Sequence, residues 1–332
     1  MKKIIETPEC KGCRFDRCMS SGMLPSLVTG EEDTSQTIPS VVTSHPNIIF
    51  LHRLLANYNT LTRDRVIFEQ AFLKANPQFR IHPCQKTPPN EQHDYEVYTA
   101  EFELINQIWK ETAEYLKNFI AYSFKEVETL SEDEKFLILQ NCLFIIHSGE
   151  GTHRAAKAFA ERPLECFFTS YTTAHRHADF DRRCENTRPQ KYAPELIAKC
   201  GEALTEMRDV LVPILDRLKP TELEFLAATT VSIWTMGSAR KNQRITKLSE
   251  DYRTRVFYEL HVLYREEFKL DNYAMRMGEL MTLAHALEHV SLALINVFRL
   301  VDIFNVYEEG SFASSIVAPV IVNDALDDNI GL

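Results

Sequence analysis

Val127-Glu128-Thr129-Leu130-Ser131-Glu132-Asp133-Glu134-Lys135-Phe136-Leu137-Ile138-Leu139-Gln140-Asn141 joins a polar, acidic turn to an apolar run. Carried on through Cys142, Leu143 and Ile146, the run sets Phe136, Leu139, Cys142, Leu143 and Ile146 at helical spacing, with apolar residues on most of the remaining faces. A helix that is apolar nearly all round is buried inside a domain. The patterns on either side of it decide what surrounds it.

Upstream, Phe102, Ile105, Trp109, Thr112, Leu116, Phe119 and Ser123 form one stripe at 3–4 spacing. Residues 49–73 are also helical in period, through Leu51, Leu54, Leu55, Tyr58, Leu61, Val66, Phe68 and Phe72, before Pro77, Pro83, Pro88 and Pro89 interrupt the pattern. Downstream, the β-rich run from Cys166 to Tyr171 predicts a small hairpin. Leu196, Cys200, Ala203, Met207, Leu211, Ile214 and Leu218 then make a helix that ends at Pro220. Thr221 and Glu224 are spaced as a capping box that opens another helix through Trp234. Residues 249–268 follow, and then a long helix from about Tyr273 to Phe304. Its seam is Met277, Leu280, Ala284, Leu287, Ser291, Leu294, Phe298 and Val301. Strands are nearly absent and no internal repeat is visible, so the fold class is all-α.

The chain has 332 residues, 45% of them hydrophobic and only 10 of them glycine, a composition that suits a helical core and argues against nucleotide-binding folds. No Gly-rich phosphate loop, G-x-S-x-G elbow or nucleophile triad is present. The net charge of −10 argues against nucleic acid as the main partner of the bulk of the chain. With no run of about 18 apolar residues, a membrane span is not expected. Met-Lys-Lys at the start lacks a following apolar core, so no secretory signal is read, and the eight cysteines are expected to remain thiols. Residues 24–48, rich in Pro, Ser, Thr, Gly and acidic side chains, read as a flexible hinge.

Two constellations carry metal chemistry on paper. His285-Ala286-Leu287-Glu288-His289 is a literal H-x-x-E-H, in which two histidines share a helix face and Glu288 would act as general base. A helical zinc hydrolase is therefore one alternative reading, set against two polar residues on the flank of a packed helix. His175-Arg176-His177-Ala178-Asp179 is the other, but Arg176, Arg182 and Arg183 nearby would repel a cation, so a solvated loop is the expectation.

At the N-terminus, Cys10-Lys11-Gly12-Cys13-Arg14-Phe15-Asp16-Arg17-Cys18-Met19-Ser20-Ser21-Gly22-Met23 runs a Cys-x₂-Cys pair into a basic helical turn. A lone Cys-x₂-Cys also serves redox sites, but the whole string resembles the end of the second zinc module of a nuclear-receptor DNA-binding domain. The Val127–Asn141 string, in turn, resembles the signature of the same family's ligand-binding domain, in which Leu-Ser-x-x-Asp-Lys opens a helix; here Glu134 stands for the aspartate and Gln140 for a later lysine. Thr221-Glu222-Leu223-Glu224-Phe225-Leu226 and Arg276-Met277-Gly278-Glu279-Leu280-Met281 follow in the family's order. Ile303-Phe304-Asn305-Val306 resembles the nematode, hepatocyte-nuclear-factor-4-like branch.

The resemblance implies a three-layer helical ligand-binding domain over residues 95–318. It would be preceded by a zinc-module remnant over 1–23 and a hinge with some helix over 24–94, and followed by a tail over 319–332. It implies a nuclear protein that regulates transcription in response to a small lipophilic ligand, with a homo- or heterodimer partner and coregulator peptides. Cys10 and Cys13 would be half of a zinc site, complete only with two further ligands, and Lys11, Arg14 and Arg17 would make phosphate contacts alone, so DNA contact is weak or indirect. A DNA-independent heterodimer partner or dominant inhibitor is the alternative within the family. The inward stripes place Trp109, Thr112, Leu116, Leu143, Ile146, His147, Leu287, Ser291 and Leu294 around a ligand pocket, set against plain core packing. The family's coregulator groove would be marked by Tyr122, Lys125, Leu139, Glu308 and Glu309, with Tyr122 in the position of the usual lysine. Leu283, Val290, Ile295 and Val297, off the seam of the long helix, are expected to form an association surface.

Overall fold

The protein, as a computed structural model, is described for residues 45–80, 83–86, 96–99, 102–158, 166–176, 194–237, 242–303 and 311–317. The chain divides into two units, Met1–Thr43 and Ser44–Leu332. The zinc-module remnant and the hinge up to Thr43 lie outside the described residues.

Eight α-helices are described in the second unit: α1 (Ile49–Ala75), α2 (Phe102–Ser123), α3 (Glu132–Ala158), α4 (Pro194–Leu218), α5 (Glu222–Thr235), α6 (Gln243–Val262), α7 (Ala274–Ile303) and α8 (Phe312–Val317). Helix α3 is the buried middle element that its sequence requires. Every residue from Leu137 to Thr152 is buried, because α2, α4, α5 and α7 cover it on all sides. The stripe of α2 faces it, with Ile105, Trp109, Thr112, Leu116, Phe119 and Ser123 all buried.

Helix α1 lies within the span read as hinge, yet Phe50, Leu51, Leu54, Leu61, Val66 and Leu73 are in the core, against α2, α5 and α6. Its first turn has no side-chain cap of its own. Instead Glu259 of α6 accepts from the Phe50 and Leu51 amides at 2.9 and 2.8 Å. A carboxylate there satisfies two orphan N–H groups at the positive end of the helix dipole.

The Thr221 capping box forms as read, and its Glu224 does a second job. The buried carboxylate takes a bidentate pair from Arg276, at 2.6 and 2.8 Å, and the Tyr264 hydroxyl at 2.8 Å. Helix α5 is thereby tied to the start of α7.

One four-stranded sheet, in the order β1-β2-β4-β3, joins β1 (Pro83–Lys86), β2 (Glu96–Thr99), β3 (Cys166–Phe168) and β4 (Thr173–Arg176). The expected hairpin is β3–β4, with Phe168 opposite Ala174. The β1–β2 ribbon was hidden by its prolines. Pro83 opens an edge strand, where a missing N–H costs no ladder bond.

Helix α7 corrects one expectation. It is long and apolar enough to cross a membrane by composition, but those apolar side chains are the core of the domain. Leu283, Val290, Ile295 and Val297, expected to await a partner, are buried within the chain. With α3, α4, α5 and α8 all packed on it, α7 has no bare apolar flank there, so these four cannot form the association surface.

Candidate functional site

The acidic turn ahead of α3 builds a cap. Ser131 Oγ accepts from the Glu134 amide at 3.3 Å, and Glu134 Oε2 accepts from the Ser131 amide at 2.8 Å, a reciprocal capping box. Glu134 Oε1 also accepts from Asn242 Nδ2 at 3.0 Å, and Asn242 itself caps α6 by accepting from the Ile245 amide at 2.8 Å. The acidic residue of the signature thus fixes where α3 starts and where α6 starts. Six residues on, Gln140 reaches the last helix: its Nε2 donates to the Ile316 carbonyl at 2.5 Å.

Trp109 occupies the centre of the interior between α2, α3 and α7. Its indole stacks on Phe298, meets His147 edge-on at 4.4 Å between centroids, and meets Phe144 edge-on at 5.8 Å. Two small voids flank it. The larger, about 40 Å³, is lined by Ile105, Phe167, Thr169, Cys200, Leu204 and Leu294 among others. The smaller, about 10 Å³, is lined by Arg65, Thr112, Leu116, Leu143 and Ile146. Trp109 and His147 line both. A pocket for a drug-sized ligand needs roughly 300 Å³ or more, so the aromatic side chains fill most of the space a ligand would use.

Seven of the nine residues read as pocket-lining therefore surround these voids: Trp109, Thr112, Leu116, Leu143, Ile146, His147 and Leu294. Leu287 and Ser291 line neither. Ser291 Oγ is 2.7 Å from Ser148 Oγ, and Leu287 sits where a Cβ on Gly149 would come within 2.7 Å of its Cδ2. Both pack α7 directly onto α3.

His147 is buried among the rings of Trp109 and Phe167. Burial, aided by the Arg65 cation, lowers its pKa to about 3, so the imidazole is neutral.

A buried polar cluster lies beside the smaller void, and the sequence reading did not find it. Glu150 of α3 accepts from Arg65 Nη1 at 2.9 Å and from the Tyr58 hydroxyl at 2.6 Å, both on α1, and from the Tyr171 hydroxyl of the β3–β4 turn. Burial alone would raise the Glu150 pKa, but Arg65, Arg154 and the two tyrosine hydroxyls outweigh it, and the carboxyl ends below its ordinary value. Arg154 donates to the Ser170 and Tyr171 carbonyls at 2.8 and 3.2 Å. Glu69 accepts from the Thr172 amide and hydroxyl, each at 2.8 Å. The signal was present: Leu54, Tyr58, Leu61, Arg65 and Glu69 continue one helical seam, so Arg65 and Glu69 occupy core positions.

Helix α8 is docked on α2 and α7, with Ala313, Ile316 and Val317 buried. Asn106 Oδ1 accepts from the Ala313 amide at 2.9 Å, Arg299 Nε donates to the Val317 carbonyl at 3.2 Å, and the Ser314 hydroxyl donates to Asp302 at 2.5 Å. Of the residues read as a coregulator groove, Tyr122 is 67% exposed, Lys125 is also exposed and Leu139 is buried. Glu308 and Glu309 lie outside the described residues.

The H-x-x-E-H histidines face solvent on α7, and His289 Nε2 lies 2.8 Å from Glu206 of α4. His285 Nδ1 is 3.9 Å from Glu288, whose own side chain is buried. Among the described residues, no three His, Cys, Asp or Glu side chains come together as a metal site. Cys10, Cys13, Lys11, Arg14, Arg17 and His177 fall outside the described residues.

Residues 91–304 match the family model for the ligand-binding domain of nuclear hormone receptors. The chain is 22% identical over 263 residues to the Caenorhabditis elegans nuclear hormone receptor family member nhr-43, covering 77% of this chain and 55% of that protein. It therefore spans about half the length of that relative. It is 22% identical over 298 residues to nhr-127 of the same species, covering 84% and 81% of the two chains. It is 21% identical over 321 residues to the C. elegans high zinc activated nuclear receptor protein, covering 90% and 77%. The Drosophila melanogaster Ultraspiracle ligand-binding domain aligns with a TM-score of 0.47 at 11% identity, over 80% of this chain and 95% of that one. The chain belongs to the nuclear hormone receptors, and the helices around Trp109 are part of its ligand-binding domain.

Proposed function

We propose that the chain is a ligand-responsive regulator of transcription, acting in the nucleus, and that it signals through the position of α8. The observation that carries this reading is the link between the cavity and the last helix. Phe298, stacked on Trp109 in the cavity, sits one residue before Arg299, which binds the Val317 carbonyl at 3.2 Å. A small lipophilic molecule entering beside Trp109 has to displace Phe298 or Trp109, since the existing voids are far below ligand size. Movement of Phe298 moves the turn of α7 that holds α8. A ligand with different affinity for the two arrangements shifts their populations by that difference.

The partners on this reading are a second receptor chain and coregulator peptides that bind as helices in a groove. Tyr122, Lys125 and Leu139, with Glu308 and Glu309, are the residues we assign to that groove. DNA contact is restricted to phosphates through Lys11, Arg14 and Arg17, and zinc enters only if Cys10 and Cys13 gain two further ligands.

The test is a cell reporter driven by the full chain fused to a heterologous DNA-binding domain. Ile316→Arg places a charge at a fully buried position of α8 and should abolish regulation of the reporter while the purified protein keeps its helix content. Reporter output equal to wild type in that variant would contradict a role for α8.

A further inference from the structure

The smaller void has an unusual wall. Thr112 and Arg65 are 3% and 4% exposed, both line it, and each carries a buried polar atom without a hydrogen-bond partner: Thr112 Oγ1 and Arg65 Nε. The rest of the wall is Trp109, Leu116, Leu143, Ile146 and His147. Buried donors left unpaired are costly and rare in native interiors. Two at one void of about 10 Å³ mark the place where an acceptor atom belongs, since a space of that size holds about one water-sized atom group.

We propose that this end of the cavity is a polar subsite for a neutral hydrogen-bond acceptor, a ketone, ester or hydroxyl oxygen, carried by an otherwise apolar ligand. This deepens the ligand-responsive reading above and rests on it. Arg65 Nε is a donor only, and the threonine hydroxyl can donate as well. A carbonyl oxygen has two lone pairs and accepts both.

Charge balance selects neutral over anionic. The cluster holds two guanidinium groups, Arg65 and Arg154, and two carboxylates, Glu150 and Glu69, so its formal charges already cancel. Arg65 is committed to Glu150 through Nη1 at 2.9 Å, and the neighbouring His147 adds no positive charge. A carboxylate headgroup would therefore enter as an uncompensated buried anion, which costs far more than a neutral acceptor. One apolar feature completes the ligand class. Trp109 and His147 also line the larger void, together with Ile105, Phe167, Leu204 and Leu294, so the remainder of the ligand is hydrocarbon or aromatic.

Three probes of nearly one shape separate these terms: acetophenone (neutral acceptor), ethylbenzene (no acceptor) and benzoate (anionic). Their affinities for the full 332-residue chain are measured by calorimetric titration at pH 7.5, for wild type and Thr112→Val. In wild type, acetophenone should bind about tenfold tighter than ethylbenzene, the worth of one good hydrogen bond, and tighter than benzoate. Thr112→Val keeps the shape, so ethylbenzene affinity should hold while the acetophenone advantage shrinks to about twofold or less. Benzoate binding as tightly as acetophenone would overturn the proposal, as would an advantage unchanged by Thr112→Val. Equal binding of acetophenone and ethylbenzene would sink the subsite and leave the ligand-responsive reading standing, with only water at Thr112 and Arg65. Failure of all three to bind at millimolar concentration would count against both.

Discussion

The Trp109 indole lies stacked on the Phe298 ring, with centroids 4.9 Å apart and planes 22° from parallel. This contact joins α2 to α7 across the interior and fills the volume that a ligand needs. It also lies next to the turn of α7 from which Arg299 and Asp302 hold α8. One aromatic pair therefore lines the larger void and lies one residue from the Arg299 contact to the last helix.

His147 makes the fold sensitive to mild acid. Its folded pKa of about 3 lies below the unfolded value of about 6.5. As pH falls below 6.5 the unfolded chain takes up a proton that the folded chain refuses, so stability is full above that value and falls between pH 6.5 and 3. By pH 5 the loss from this group alone is about 2 kcal/mol. Urea unfolding at pH 7 and pH 5 should show a difference of that order, and His147→Gln should remove most of it. An unchanged pH slope in the variant would mean that the imidazole is not held neutral in the fold.

Glu150 should be among the most sensitive charged positions of the described residues. It is buried with Arg65 and accepts from Tyr58 and Tyr171 as well. Glu150→Ala leaves the Arg65 cation uncompensated, and loss of about 3–5 kcal/mol is expected, read as a shift in the urea midpoint. Because its folded pKa is lowered, the carboxylate stabilises the fold above its unfolded pKa of about 4.3, and that contribution is lost as pH falls through the folded value. A cost under about 1 kcal/mol would place the cluster in the class of solvated surface pairs.

Two glycines of α3 should respond in opposite degree. A Cβ on Gly151 would come within 2.2 Å of the Phe168 carbonyl oxygen and 2.8 Å of the Phe167 ring. Backbone cannot yield as a side chain does, so Gly151→Ala should destabilise by about 1–3 kcal/mol or more despite the gain in helix propensity of about 1 kcal/mol. At Gly149 the nearest atom is the end of a leucine side chain, Leu287 Cδ2 at 2.7 Å, which can rotate. Gly149→Ala should therefore cost less than Gly151→Ala in parallel thermal melts, and the reverse order would show that the β3 strand is not seated against α3.

The buried helix, its apolar neighbours and the family were legible because helical periodicity and capping act locally. Most residues from Leu137 to Ile146 are apolar, and the Ser131–Glu134 and Thr221–Glu224 boxes announce where helices begin. What was missed depends on pairing at a distance. Arg65 falls on the seam of α1, but a charge at a core position makes sense only once Glu150, 85 residues later, is brought to it. Similarly, Leu283, Val290, Ile295 and Val297 looked spare on a single helix because one sequence stripe cannot show that α7 is enclosed by four others. The filled state of the cavity was also invisible: Trp109 and Phe298 were each on inward stripes, and only their stacking decides that they occupy the space themselves.

The coupling between cavity and last helix is tested most directly by hydrogen–deuterium exchange of the amides of residues 312–317. Phe298→Ala removes the ring stacked on Trp109 and should raise exchange across α8 relative to wild type, because the turn carrying Arg299 and Asp302 loses its support. Acetophenone, filling the vacated volume, should then slow that exchange back toward the wild-type rate. Exchange at 312–317 that is unchanged in Phe298→Ala, or that ignores bound acetophenone, would contradict the account.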